Sequence, residues 1–106
     1  MIVTTTNDIP GENIAKTLGL VTANTVRARH IGKDILAALK NLIGGEVSEY
    51  SKLLAESREE ALHRVVKRAD KMGADAVVNL RFSTSMVAGG AAEILAYGTA
   101  VVIEQK

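Results

Sequence analysis

The sequence predicts an α+β fold, a small antiparallel-rich sheet carrying two helices, and three observations predict it. Residues 76–87 alternate, with Val78, Leu80, Phe82, Thr84 and Met86 on one side and Val77, Asn79, Arg81, Ser83 and Ser85 on the other. Residues 50–72 instead repeat their apolar positions every three or four residues, the period of a helix. Residues 93–104 are apolar on both sides of a strand: Ile94, Ala96, Gly98, Ala100 and Val102 on one, Leu95, Tyr97, Thr99, Val101 and Ile103 on the other.

Taken in order, residues 2–5 read as a short edge strand, and Asn7-Asp8-Ile9-Pro10-Gly11 is a turn cluster. Residues 18–29 form the next strand, with Val21, Thr22, Thr25 and Val26 as its β-branched members. Gly32 ends it. Ile35, Leu36, Leu39, Leu42 and Ile43 then give one apolar helical face, stopped by Gly44-Gly45. Ser48 is the expected N-cap of the long helix. Its apolar stripe runs through Tyr50, Leu54, Ala61, Val65, Ala69 and Met72, with Lys71 and Gly73 as C-terminal signals. Gly89-Gly90 turns the chain, so the last two strands form an antiparallel hairpin.

The 106 residues make one domain, 1–106, without repeat, linker or low-complexity segment. Aromatic residues are 3% of the chain, so aliphatic side chains and alanine must build the core. The formal net charge of +1 gives no long-range attraction to nucleic acid or to an anionic membrane. The absence of cysteine excludes disulfides, thiolate catalysis and thiolate metal sites, and fits a cytoplasmic protein. No signal-peptide pattern opens the sequence, and its longest apolar run, 94–103, is too short to span a bilayer as a helix.

The two-faced last strand asks for cover on both sides. Two helices suffice for one face of the sheet. The second face is expected to be covered by another copy or a partner, or else to be wrapped by the N-terminal segment; self-association is the favoured expectation.

Chemical motifs are few. Gly32-Lys33 resembles the end of a phosphate-binding loop, but Arg27 stands where the first glycine is needed and Asp34 replaces the Ser or Thr that would hold magnesium. Arg27, Arg29, His30 and Lys33 form the densest basic patch, a candidate site for an anion or a subunit contact. Glu60 and His63 stand three apart on the long helix, the weaker candidate pair for a metal. No serine lies in a nucleophile elbow and no carboxylate pair is marked for acid–base work, so the expectation is a non-enzyme with no assignable cofactor.

Several stretches, in order, carry a resemblance. They are Gly19-Leu20-Val21-Thr22 leading into Arg29-His30-Ile31-Gly32-Lys33-Asp34-Ile35, then Asn41-Leu42-Ile43-Gly44-Gly45-Glu46, then 73–82 and the ending Tyr97-Gly98-Thr99-Ala100-Val101. The chain resembles the YbjQ-like family over almost its whole length. The resemblance implies a dodecin-like subunit and a pentameric ring, and it carries a heavy-metal-binding label. Soft metals prefer thiolates, and this chain has none; Met1 is terminal, and Met72 and Met86 read as core. The reading is therefore a cytoplasmic, homo-oligomeric binding or scaffold protein whose partner is itself, with a small-ligand or metal site between subunits as the alternative.

Overall fold

The computed structural model describes residues 1–27, 46–87 and 91–105. Four strands and one helix lie within them: β1 (Ile2–Val3), β2 (Ile14–Arg27), α1 (Glu46–Lys71), β3 (Ala76–Val87) and β4 (Ala91–Ile103). The sheet order is β1-β3-β4-β2. The β3–β4 hairpin is antiparallel as expected, β2 joins the far side of β4 antiparallel, and β1 pairs with β3 in parallel, so the sheet is mixed. The helix expected over 35–43 and the turn at Gly89-Gly90 lie outside the described residues.

The bounds of β3 match the alternating segment. Strand β2 begins four residues before the expected start, at Ile14, because it carries two register shifts, between Ile14 and Lys16 and between Thr17 and Gly19. Each shift inserts an extra residue, which breaks the period-2 pattern that would have revealed the strand. The helix likewise starts at Glu46, so Ser48 lies within its first turn and is not the N-cap. At the other end Gly73 adopts φ +86°. Its N–H donates to Asp70 O, and the N–H of Ala74 donates to Ala69 O, each at 3.0 Å. This pair of bonds satisfies the last helical carbonyls and turns the chain into β3.

The core forms where α1 lies on β2 and β4. Ala61, Val65 and Ala69, spaced by four on the helix, are fully buried against Val21, Ala23, Val77, Leu80, Ile94, Ala96 and Ala100. Small side chains on both surfaces let the helix lie close to the sheet, which is how a chain with little aromatic content fills its core. Full burial of a side chain such as Ile94 or Val65 contributes about 1.5–3 kcal/mol. One polar pair is buried with them: Thr25 Oγ1 donates to Ser57 O at 3.2 Å, and Ser57 Oγ donates to Leu53 O at 3.0 Å. Met72, expected in the core, is 39% exposed.

The strict alternation expected of β3 fails at one place. Val78 pairs with Thr99 and Arg81 with Tyr97, so Asn79 and Leu80 together oppose the single residue Gly98. Asn79 takes φ 55°, a left-handed conformation that asparagine tolerates better than most residues. This bulge reverses the facing of the strand. Val77 and Leu80 both point under the helix, while Ala76 and Val78 join Val101 on the opposite side. The bulge amides are not left open: Asn79 N donates to Thr6 O and Leu80 N to Thr4 O, both at 3.0 Å. Arg81 Nη1 fixes the same N-terminal segment by donating to Thr5 O at 2.8 Å.

Candidate functional site

The surface that stands out is the sheet face turned away from α1. At one end it is covered by the protein itself, where Ile9 from the N-terminal turn packs on Ala76, Val78 and Val101. Wrapping by the N-terminal segment, one of the two expected coverings, thus accounts for this end. Further along β4, Leu95, Tyr97 and Thr99 are only half-buried although β4 has a strand on each side. On the neighbouring strand β2, Leu20 is 70% exposed and Val26 55%. Alternation places these side chains on the open face, because their odd-even partners Val21, Ala23, Ile94 and Ala96 are buried under the helix.

The molecule is also long. Its Cα radius of gyration is 17.5 Å and its principal extents are 58 × 21 × 16 Å. A compact domain of this length has a radius of gyration of about 13 Å. Phe82 (42% exposed) and Met86 (65% exposed) add apolar surface on the part of β3 that the helix does not reach; Met86 was expected to be core.

The outer edge of β2 is guarded by α1. Arg64 Nη1 donates to Asn24 O at 2.8 Å, and Arg68 Nη1 donates to Thr22 O at 2.6 Å. An edge carbonyl left free can accept a strand from another chain; here two successive outward carbonyls are already occupied. Arg64 is itself steadied by Glu60, whose Oε1 accepts from Arg64 Nη2 at 2.6 Å. In the sequence these arginines are two among the many charges of the long helix. Arg64 and Arg68 are four apart, the one sequence signal of a shared helical side.

The sequence candidates divide. Arg27 is the last residue of β2, its backbone paired with Ala92. Arg29, His30 and Lys33 lie outside the described residues. Glu60 is engaged by Arg64, and His63 is exposed on the helix. Among the described residues no group of three or more His, Cys, Asp or Glu is placed to hold a metal ion, and no helix is long and apolar enough to cross a membrane.

A family model described as "Putative heavy-metal-binding" matches residues 1–104. The chain belongs to the YbjQ-like family. A UPF0145 protein of Methanosarcina acetivorans is 60% identical over 97% of both chains. One from Archaeoglobus fulgidus is 59% identical over 95% of this chain and 94% of its own, and one from Hahella chejuensis is 56% identical over 98% of this chain and all of its own. A solved structure from Pediococcus pentosaceus, a DUF74-family protein of unknown function, superposes with a TM-score of 0.68 over 98% of each chain at 19% identity. That likeness concerns the fold. The donor set of this YbjQ-like chain does not suit a thiophilic metal, since it contains no cysteine.

Proposed function

We propose that this YbjQ-like protein is a cytoplasmic homo-oligomer, a five-membered ring, that serves as a binding or scaffold module and not as an enzyme. The observation that carries the reading is the half-buried centre of the open sheet face, Leu95 and Tyr97 on β4 beside Leu20 and Val26 on β2. A central strand with apolar side chains on both faces is stable when both faces are dry. The long, thin subunit supports the same reading, because assembly covers surface that a single copy leaves in water. The ring size follows from the family resemblance, and the cytoplasmic placement from the cysteine-free composition.

Native mass spectrometry on protein purified without added metal or chelator tests this. A pentamer of 11.2 kDa chains has a mass of 5 × 11.2 = 56 kDa. A clean 11.2 kDa species at micromolar concentration overturns the proposal.

A second reading, favoured by the family description as far as a metal is concerned, is a small anion or metal ion held between subunits at a site lined by Arg27, Arg29 and His30. It requires mass above that of the bare assembly. Alanine at Arg27 and Arg29 would then remove the extra mass and leave the assembly intact; loss of the assembly instead assigns the patch to a subunit contact.

A further inference from the structure

Two shallow depressions, one beside an edge of the sheet and one across the end where its strands begin and end, carry opposite charge. The first, beside the edge strand β2, is lined by Leu20, Val21, Thr22, Arg68, Lys71 and Met72. Leu20 and Met72 are exposed, so this is apolar surface flanked by two cations. The second lies where β1 begins and β4 ends. Its apolar part is Met1, Ile2 and Ile103, and its charged part is Glu12, Asp75 and Glu104. The Asp75 carboxylate is partly spoken for, since its Oδ2 accepts from Ile103 N at 2.9 Å. Lys71, Glu12 and Glu104 have no charged partner within 4.0 Å among the described residues.

We infer that the basic depression at the β2 edge of one copy receives the acidic surface at the sheet end, where β1 begins and β4 ends, of the next copy. The inference rests on the self-association proposed above and adds a charged contact to the apolar cover of the open face. A twofold contact through either depression would set like charge against like, Arg68 and Lys71 on themselves or Glu12 and Glu104 on themselves, which is costly. Joining the two unlike surfaces avoids this. Such a contact is head-to-tail: every copy offers one surface forward and the other backward. Repetition of that operation closes a ring when the rotation allows. Leu20 and Met72 against Ile2 and Ile103 provide the apolar burial, and the charges fix register and exclude the twofold alternative.

Charge reversal tests the pairing. Lys71→Glu and Glu104→Lys are made singly and together, with far-ultraviolet circular dichroism to confirm that each folds and native mass spectrometry with sedimentation velocity to read assembly. Each single variant is expected to raise the concentration at which half the chains assemble by about tenfold or more. The combined Lys71→Glu/Glu104→Lys variant is expected to recover assembly. The two single variants report from opposite sides of the contact, so failure of one to fold leaves the other as the test. Wild-type assembly that neither reversal weakens overturns this contact while sparing the oligomer. Weakening by both without recovery in the combined variant overturns it too. A monomeric wild type overturns both the oligomer and the contact.

Discussion

A Cβ atom on Gly98 would lie 2.8 Å from Val77 Cγ1, closer than real side chains approach. The same atom would meet Val78 O at 3.0 Å and Leu80 Cα at 3.4 Å. The sequence argues for a close approach at Gly98 from its small neighbours Ala96 and Ala100. The approaching element is β3 of the same chain at its bulge. Gly98→Leu is therefore expected to destabilise the fold by about 3 kcal/mol or more, and Gly98→Ala by about 1–3 kcal/mol, since the buried Val77 side chain must give way in both. Urea denaturation measures both; an unchanged midpoint for Gly98→Leu would refute the packing described.

Ile94 is 1% exposed beneath α1. Ile94→Ala is expected to cost about 2–5 kcal/mol through lost burial and the cavity left behind. Thr25→Val removes the donor to Ser57 O with little change of shape and is expected to cost about 1 kcal/mol. The ordering of the two, by thermal or urea unfolding, is the check: equal costs would mean that the buried hydroxyl matters more than its geometry suggests.

Arg64→Ala removes a donor to Asn24 O and the ion pair with Glu60. The stability loss is expected to be about 1 kcal/mol, because both groups are substantially exposed. The larger effect is expected in solution behaviour. With an outward carbonyl of β2 released, static light scattering over days should show faster aggregation than the parent protein.

Asp75→Ala frees the amide of Ile103 that its carboxylate holds. Amide exchange at Ile103 is expected to quicken by about fivefold or more, corresponding to a bond of about 1 kcal/mol, while exchange in the middle of β4 stays unchanged. Uniform quickening along β4 would assign Asp75 a global role.

Leu95→Glu places a charge on the open face without disturbing the helix-side core. The expected result is a folded protein that no longer assembles, read by sedimentation velocity. Assembly at parental strength would separate the subunit contact from this face.

The sequence made some features legible and concealed others for physical reasons. Strand β3 and the long helix were readable because each keeps one period over many residues. The two-sided apolar character of β4 was readable because an unbroken apolar run shows without any period, and its helix-side residues are indeed buried. The exchange of Val77 and Val78 between faces was concealed, because a bulge leaves composition unchanged; Asn79 in mid-strand opposite a glycine is the only local hint. The early part of β2 was concealed by its own register shifts. The burial of Ser57 is not legible because a polar side chain in the apolar stripe reads as an interruption, whereas its hydroxyl is satisfied by Leu53 O. The edge-guarding arginines depend on which strand lies beside the helix, and that is a property of topology.

The strand order has a consequence for how the chain is made. Among the described residues β2 pairs with β4 and β1 with β3, so each of the first two strands waits for a partner synthesised long after it. Closing such loops is entropically unfavourable until something rigid exists to close onto. The C-terminal hairpin, whose strands are adjacent in the chain, is that template. A nascent chain arrested before residue 91 would hold β2 without its partner β4, and β2 would find its place only once β4 has been made.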